Sequence, residues 1–307
     1  MARIGKTDLD VFPLCLGGNV FGWTADERQS FDVLDAYAAA GGNFVDTADV
    51  YSAWVPGHVG GESETIIGRW MAVRGTRDRM VIATKVGMAA DLKGLSAKTI
   101  RRAAEASLRR LKTDRIDLYY AHADDAETPL EESLRAFDAL VTEGKVRYVA
   151  ASNYTAARLA KALTMSDREG LARYVALQPH YNLAHRNEYE GELGDLCARE
   201  GLPCLPYYAL AKGFLTGKYR PGTEVDSVRA AAARAYLADP GVRLLAALDV
   251  IAAAHHTTVA AVSLAWLRAQ PTVIAPIASA RTVAQLKELL PMTDIELNSE
   301  DLARLTA

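Results

Sequence analysis

Three side chains in the first third of the sequence have the types needed to move a proton. Asp46 closes the apolar run at residues 43–45, and Lys85 closes the run at 80–84. A lysine buried at the end of a strand needs a partner of opposite charge, which Asp46 on the adjacent strand can supply. Tyr51 follows Asp46 in the next loop, and a free phenol has a pKa of about 10. Because a nearby ammonium favours the phenolate, this set predicts a tyrosine whose pKa Lys85 brings down toward the working pH.

Polar residues also follow other apolar runs at the same relative position. They are His122, Asn153, Gln178, Tyr207 and Ser279. Together with Asp46 and Lys85 they make seven. A single polar residue after a strand is common in loops, but seven in register are hard to explain that way. The carboxyl ends of parallel strands meet at one face, so we expect one site gathered from several strands.

Eight strand-like runs position these residues. We predict strands at 13–16, 43–46, 80–84, 116–120, 148–151, 175–177, 202–206 and 273–277. Segments with helical spacing of apolar residues follow the runs, and such alternation is typical of a parallel sheet. Eight units in one chain predict an α/β fold, a (β/α)8 TIM barrel that forms a single domain over residues 1–307. An N-terminal β-hairpin precedes it, and extra helical segments lie in the C-terminal part.

The rival fold is an open, doubly wound sheet with a dinucleotide-binding turn. Its first strand should run into a Gly-x-Gly-x-x-Gly turn that opens a helix. Residues 17–22, Gly-Gly-Asn-Val-Phe-Gly, lack the middle spacing and open no immediate helix. The sequence therefore favours the barrel.

Composition excludes several classes of partner. Of 307 residues, 50% are hydrophobic and 24% charged, and the net charge is −3 with scattered basic residues, so we expect no nucleic-acid partner. Charged and histidine residues break the long apolar tracts, so we expect no membrane span, and we expect no signal peptide. Three cysteines without metal spacing fit a reduced, cytoplasmic protein, and we expect no metal. The oligomeric state is left open.

At this point the sequence resembles the aldo-keto reductases over nearly its whole length, in particular the branch with the potassium-channel β-subunit-like reductases. Asp46, Tyr51, Lys85 and His122 match the catalytic tetrad of that family in order and in strand position. The framing motifs match as well. They are Asp-Thr-Ala-Asp-Val-Tyr at 46–51, Gly-Glu-Ser-Glu at 61–64, Ser-Leu-Arg-Arg-Leu-Lys-Thr-Asp-Arg-Ile-Asp-Leu-Tyr at 107–119, Gly-Lys-Val-Arg-Tyr-Val-Ala-Ala-Ser-Asn at 144–153 and Gly-Phe-Leu-Thr-Gly-Lys-Tyr at 213–219.

The resemblance implies reduction of an aldehyde or ketone, or the reverse alcohol oxidation, by hydride transfer from a nicotinamide cofactor. Tyr51 would be the general acid or base, Asp46 would keep Lys85 charged, and His122 would donate a hydrogen bond to the substrate oxygen. The partner it implies is a small-molecule carbonyl substrate. Trp23 and Trp54 lie in loops at the predicted mouth and are candidate walls of the substrate pocket.

The resemblance also implies the cofactor contacts. Tyr207 would stack on the nicotinamide, and Ser152, Asn153 and Gln178 would hold its carboxamide. The remaining candidates are Gly18, Asn19 and Asp46, the loop residues Tyr208, Leu210, Lys212, Gly213 and Lys218, and the adenosine-end residues Ala278, Ser279, Arg281, Gln285 and Glu288. An arginine suits a 2′-phosphate, so NADP(H) is favoured over NAD(H). Leu289 stands where many relatives carry Asn against the adenine.

Two alternatives remain open. The same residues could serve a nicotinamide-binding redox sensor or regulatory subunit with little turnover. A different barrel enzyme, such as a metal-dependent hydrolase, would need His-x-His or clustered carboxylates at strand ends, which the sequence lacks. We interpret the stripe Arg101, Arg102, Arg109 and Arg110 as a solvated helix face.

Overall fold

Seven parallel strands form the central sheet of the protein in the computed structural model, which describes residues 1–306. In chain order they are β3 (Cys15–Gly17), β4 (Phe44–Asp46), β5 (Val81–Val86), β6 (Ile116–Ala121), β7 (Val146–Ser152), β8 (Tyr174–Gln178) and β9 (Ile277–Ala278). Their spatial order is β8-β7-β6-β5-β4-β3-β9, so the last strand of the chain lies beside the first of this sheet. The strands are almost wholly buried, as parallel strands covered on both faces must be.

Helices cover the outside of the sheet. They are α1 (Glu27–Ala39), α2 (Glu62–Arg74), α3 (Ala97–Leu111), α4 (Leu130–Thr142), α5 (Ala156–Glu169), α6 (Glu192–Glu200), α7 (Ala230–Arg234), α8 (Asp239–Ala254), α9 (Val259–Arg268), α10 (Val283–Leu289) and α11 (Ser299–Thr306). Local sequence explains their starts: Asp26 and Gln29 form a capping box for α1, and Ser96 caps α3.

The predicted strands at 202–206 and 273–277 differ from expectation. The first appears only as isolated parallel bridges, from Leu177 to Cys204 and from Cys204 to Val273, and the second is reduced to β9. Pro203 and Pro206 lack the amide hydrogen that a continuous ladder requires. We call this stretch, residues 202–207 with 272–276, the seam; it joins β8 to β9 through a few hydrogen bonds.

A two-stranded antiparallel sheet precedes the parallel one. β1 (Ala2–Arg3) pairs with β2 (Asp10–Val11). From this segment Ile4, Leu9 and Val11 pack into a cluster with side chains from inside the parallel sheet. The loop between β1 and β2 is anchored by Asp8, which accepts two hydrogen bonds from the Arg147 guanidinium at 2.8 and 2.9 Å. The segment therefore covers the amino ends of the strands, opposite the predicted site.

An ion pair ties α2 to α3 just behind the predicted site. The fully buried Glu64 carboxylate accepts a hydrogen bond from Arg110 Nε at 2.6 Å and one from Thr84 Oγ1 at 2.6 Å. Arg110 therefore does not belong to a solvated face, and the sequence interpretation is wrong at this position. The exposed Arg101 instead pairs with Glu143 on the surface.

Within residues 1–306, no single helix is long and apolar enough to cross a membrane; α8 and α9 pass such a test only as a pair bent by 95°. All three cysteines are free and buried.

Candidate active site

Asp46, Tyr51 and Lys85 form one hydrogen-bonded cluster at the carboxyl end of the sheet. The Lys85 ammonium donates to Asp46 Oδ2 over 2.6 Å, to the Thr47 carbonyl over 2.8 Å and to Tyr51 Oη over 2.9 Å. All three ammonium hydrogens therefore have acceptors. Asp46 ends β4 and Lys85 lies on the neighbouring β5, so strand register sets their meeting. The Lys85 side chain is fully buried, and that of Asp46 is 2% exposed.

Tyr51 keeps its proton in this arrangement. Its hydroxyl donates to Asp46 Oδ2 at 3.2 Å while accepting from Lys85. Burial, and after it the Asp46 carboxylate, raises the pKa of Tyr51 well above the ordinary value of 10.0. The expectation that Lys85 brings this pKa down is therefore wrong, because exclusion of water and a carboxylate at hydrogen-bond distance both disfavour the phenolate. A phenol that holds its proton at neutral pH suits the role of acid.

His122 lies next to this cluster as a neutral ring. It follows β6, and its amide donates to the Val86 carbonyl at 3.0 Å. The imidazole centroid is 6.3 Å from that of Tyr51. Burial, with repulsion from Lys85, lowers the pKa of His122 well below 6.5. Among residues 1–306 its buried Nδ1 has no hydrogen-bond partner, so a polar group is available at this point for another molecule.

A chain of hydrogen bonds leads from Asp46 to the predicted nicotinamide contacts. Gln178 Nε2 donates to Asp46 Oδ1 at 3.0 Å, and Ser152 Oγ donates to the Gln178 carbonyl at 2.9 Å. Asn153 Nδ2 donates to Ser152 Oγ at 3.0 Å, and Tyr207 Oη donates to Asn153 Oδ1 at 2.8 Å. The structure thus brings together four residues at the ends of β7, β8 and the seam: side-chain bonds join Ser152, Asn153 and Tyr207, and Ser152 reaches Gln178 through the backbone carbonyl of that residue.

The loop after Tyr207 has an unusual backbone. Tyr208 and Lys212 adopt the left-handed conformation at φ 52° and 58°, and Gly213 follows at φ 102°. The Lys212 ammonium lies 5.4 Å from the Tyr208 ring centroid. Leu210 is half-buried, and Lys218, at the far end of the loop, is exposed. These residues form a turn beside the site, and among residues 1–306 no side-chain hydrogen bond joins them to the Asp46–Tyr51–Lys85 cluster.

The predicted adenosine-end residues lie together around β9 and α10. Ser279, after Ala278, is hydrogen-bonded to the Asn19 side chain, next to the buried Gly18. Gln285 Oε1 accepts a hydrogen bond from the Arg281 amide at 2.9 Å. Glu288, a predicted cofactor contact, is exposed. Its backbone carbonyl accepts a hydrogen bond from the Thr258 hydroxyl at 2.7 Å. This group is linked to the first strand through Asn19 rather than through the cluster.

Two tryptophans and an arginine lie together next to Tyr51. Trp23 and Trp54 meet edge to face with centroids 5.5 Å apart, and Trp54 is 6.1 Å from Tyr51. The Arg229 guanidinium lies 5.3 Å from the Trp23 ring centroid. Burial lowers the pKa of Arg229, and Arg281 is close enough to lower it further. Sequence reasoning missed Arg229, because one arginine in an irregular helical segment carries no distinguishing pattern.

Asp49 is a second residue that sequence reasoning missed. Its side chain is buried just behind the cluster, and neither carboxyl oxygen has a hydrogen-bond partner among residues 1–306. Burial, then repulsion from Glu64, raises the pKa of Asp49 to about 7. It lies within the motif at 46–51, but its type alone does not distinguish it from a turn residue.

Comparison with known proteins places this chain in a family. The model of the aldo/keto reductase family matches residues 13–307. The uncharacterized oxidoreductase YrpG of Bacillus subtilis is 35% identical, over 98% of this chain and 93% of the relative. Norsolorinic acid reductase A of Aspergillus parasiticus is 30% identical, over 96% and 77%. A probable voltage-gated potassium channel subunit beta of Arabidopsis thaliana is 32% identical, over 95% and 90%.

Proposed function

Because the chain belongs to the aldo/keto reductase family, whose members generally use NAD(P)H, we propose that it is an NADPH-dependent reductase of an aldehyde or ketone that also runs in the direction of alcohol oxidation. The observation that carries this proposal is the contact of the Tyr51 hydroxyl with the Lys85 ammonium at 2.9 Å, beside the neutral His122. These groups lie at the carboxyl face of a parallel sheet, where barrel enzymes build their sites.

The proposal includes a closed barrel. The seam supplies parallel bridges from β8 through Cys204 to Val273, and β9 pairs with β3. We infer that residues 203–206 are the remaining strand of a (β/α)8 barrel, and that residues 1–307 form one domain with the β1–β2 hairpin at its floor. A closed ring would hold residues from β4, β5, β6, β7, β8 and the seam around one point.

The residues present fit a phosphorylated nicotinamide cofactor. Lys212, Lys218, Arg229 and Arg281 have no carboxylate within 4.0 Å among the described residues, so their charge is available for phosphates. Tyr207 presents an aromatic ring, and Ser152 and Asn153 present polar atoms beside it. Arg281, at the start of the segment leading into α10, is our candidate for a 2′-phosphate, which would favour NADPH over NADH.

Reduction of a carbonyl requires a hydride at carbon and a proton at oxygen. A bound reduced nicotinamide would supply the hydride. Tyr51 would supply the proton, and its raised pKa is no obstacle because the alkoxide that forms at the carbonyl oxygen is, like hydroxide, a far stronger base than a phenolate. As the proton leaves, the Lys85 ammonium at 2.9 Å stabilises the phenolate that forms.

The other side chains position the reacting groups. Asp46 keeps Lys85 charged and fixes its direction through a 2.6 Å ion pair. The neutral His122 can donate one N–H to the substrate oxygen without competing as an acid. Trp23 and Trp54 would form an apolar wall that excludes water from the carbonyl.

The direct test is turnover by the purified protein across aldehydes, ketones and sugars with NADPH or NADH, followed by nicotinamide absorbance. We expect consumption with at least one carbonyl class, and a strong loss in Tyr51→Phe. No turnover with any substrate, in a protein that still binds NADPH, would contradict the reductase proposal.

The similarity to a potassium channel β subunit favours a second candidate, a redox-sensing or regulatory subunit. Such a protein would bind NADPH and NADP⁺ with different affinities but turn over slowly. Single-turnover oxidation of bound NADPH by an aldehyde, compared with steady-state turnover, distinguishes the two functions.

A further inference from the structure

His180, His185 and Glu188 form a cluster outside the cofactor-binding and catalytic groups. The His180 ring stacks on His185, with centroids 3.8 Å apart and an interplanar angle of 12°. It also stacks on Tyr207, with centroids 5.4 Å apart. A turn brings the two histidines together, because Asn182 and His185 exchange backbone hydrogen bonds of 3.1 and 3.0 Å.

The three donor groups have the chemistry and the proximity of metal ligands. One ligand atom from each of His180, His185 and Glu188 lies within 4.8 Å of the other two. Two imidazoles and one carboxylate are a common zinc ligand set. His185 Nε2 is 3.1 Å from Glu188 Oε1. With zinc bonds of 2.0–2.2 Å, two ligand atoms in a tetrahedral site are about 3.3–3.5 Å apart, so this pair already has nearly that spacing.

His185 carries an unexplained buried nitrogen. Its Nε2 is shielded from solvent and forms no hydrogen bond within residues 1–306, although Glu188 lies at 3.1 Å. The distance is short enough for a hydrogen bond, so the angles prevent it. A buried polar atom without a partner is costly, and one explanation for such atoms is an ion.

The lone pair of His180 Nε2 points toward the side chain of Asn182. Asn182 Nδ2 faces His180 Nε2 at 3.4 Å. Two further hydrogen bonds determine the orientation of the Asn182 side-chain amide. Its Nδ2 donates to the Tyr208 carbonyl, and its Oδ1 accepts from the Ala184 backbone amide. An N–H that faces a ring nitrogen requires a lone pair there, so an ion bound at His180 Nε2 would take the place of this long contact with Asn182.

We propose that His180, His185 and Glu188 bind a divalent transition-metal ion of the zinc type, with water completing the coordination. The parallel rings must tilt for both nitrogens to point at one ion, and the torsion about the ring bond of histidine is soft enough to allow this. The Glu188 side chain is 68% exposed, so it provides an entry path and can move to the ion.

This site is not visible in the sequence as a motif. His180 and His185 are five residues apart, and the spacing brings them together only because the chain reverses direction at residues 182–185. The proposal is independent of the reductase function, because it needs neither cofactor nor substrate.

The test is calorimetric titration of the full-length, cofactor-free protein with Zn²⁺. We expect one site in the wild type, and His185→Ala and Glu188→Gln should each weaken its affinity at least about tenfold, a change of about 1.4 kcal/mol. Glu188→Gln keeps the shape of an exposed side chain, so it remains informative if His185→Ala folds poorly. The matched control is His58→Asn, because His58 stands 4.0 Å from a single carboxylate, Glu62, without a second histidine in reach.

Co²⁺ provides a second readout that a purely structural histidine stack would not give. The wild type should show the intense visible absorption of a four-coordinate cobalt site, and both site variants should lose it. Absence of zinc binding in the wild type would overturn the proposal. Binding that both site variants retain, or that His58→Asn also loses, would overturn it as well.

Discussion

Lys85 is a buried cation whose every hydrogen has an acceptor, and this arrangement makes the centre of the site rigid. A buried charge that lost one of these partners would be strongly destabilising, so Asp46, Tyr51 and Lys85 must be considered as one unit. Asp46 is in turn held by Gln178. The proton donor is thus positioned before any substrate arrives, which is a condition for efficient proton transfer.

The first prediction concerns the division of roles in this unit. Tyr51→Phe removes the proton but keeps the ring, so NADPH should still bind while turnover falls about 10²–10⁴-fold. Lys85→Met should cost a similar amount, because the phenolate loses its stabilising charge. Asp46→Asn should be milder. Since the residues act together, the Tyr51/Lys85 double variant should be scarcely worse than either single variant. Steady-state turnover and cofactor titration measure both effects; near-full activity of Tyr51→Phe would make His122 the candidate acid.

The second prediction concerns cofactor preference. If Arg281 contacts the 2′-phosphate, NADPH should bind more tightly than NADH, and Arg281→Ala should narrow the gap. A charge-assisted hydrogen bond contributes roughly 1.5–3 kcal/mol, or about 10–150-fold in affinity. Fluorescence titration with both cofactors measures the two affinities. Arg304→Ala, in α11, is the control for the loss of one positive charge at another position. Equal affinities in the wild type would rule this out.

The third prediction follows from the buried Asp49. Its pKa is raised from 3.8 to about 7, so between these values the folded state binds one proton more than the unfolded state. The free energy of unfolding therefore falls as pH rises through this window and levels off above it, by at most about 4 kcal/mol. Asp49→Asn, which mimics the protonated form, should gain stability relative to the wild type between pH 5 and pH 8.

Urea unfolding at the two pH values measures this difference. Asp91→Asn, at an exposed position, is the control and should shift stability equally at both values. An Asp49→Asn variant whose stability relative to the wild type is the same at pH 5 and pH 8 would show that Asp49 is ionised throughout.

Sequence reasoning reached part of this site for physical reasons. A lysine inside an apolar run must be paired, and strand adjacency made Asp46 its partner. The predicted direction of the Tyr51 pKa shift was wrong, because the sequence indicates that Lys85 is near but not that the Asp46 carboxylate is also within hydrogen-bond distance and that water is excluded. Asp49 and Arg229 were missed since their importance comes only from burial and from the absence of partners.

At the scale of elements, α2 and α3 are tied by a carboxylate that no solvent reaches. Glu64 lies in the first turn of α2, and its partner Arg110 lies in the last turn of α3. Thr84, which also donates to Glu64, directly precedes Lys85 on β5. The ion pair therefore supports the strand that carries the buried lysine.

The fourth prediction tests this support. Arg110→Met leaves Glu64 buried without its counter-charge and should cost about 3–5 kcal/mol of unfolding free energy. Arg109→Met, at an exposed position on the same helix, is the matched control and should change it by less than about 0.5 kcal/mol. Denaturant unfolding of both variants measures the difference. If Arg110→Met lost no more unfolding free energy than Arg109→Met, Glu64 would be solvated or would become protonated without cost.

The pattern of elements was more predictable than their ends. Alternating apolar runs and helical spacing predicted β3 to β8, because burial on both faces leaves a strong signal, whereas the predicted strand at 273–277 meets β9 only at Ile277. The strand at 202–206 was not found as a continuous element, since Pro203 and Pro206 are apolar enough to resemble a buried strand but cannot donate to a ladder. Arg110 was misassigned because the helical pattern of α3 does not reveal the buried Glu64 carboxylate on the neighbouring helix α2.

At the scale of the whole molecule, the β1–β2 segment and the proposed chemistry lie at opposite ends of the strands. The β1–β2 segment packs Ile4, Leu9 and Val11 against the amino ends of the sheet. The residues proposed for catalysis and cofactor binding lie at the carboxyl ends. Loops at that face can vary without disturbing the floor, a separation typical of barrel folds.

The proline-interrupted seam has a consequence for how the molecule opens. From β5 to β8 long ladders of hydrogen bonds join the strands, whereas residues 202–207 are held by isolated bridges. Local opening should therefore begin at the seam, and its amides should exchange with deuterium sooner than those of β6. Because Tyr207 ends the seam, NADPH should slow that exchange if the ring stacks on the nicotinamide. Mass-resolved exchange of peptides covering 202–207 and 116–121 measures both effects, and a seam that exchanges as slowly as β6 would mean that opening begins elsewhere in the molecule.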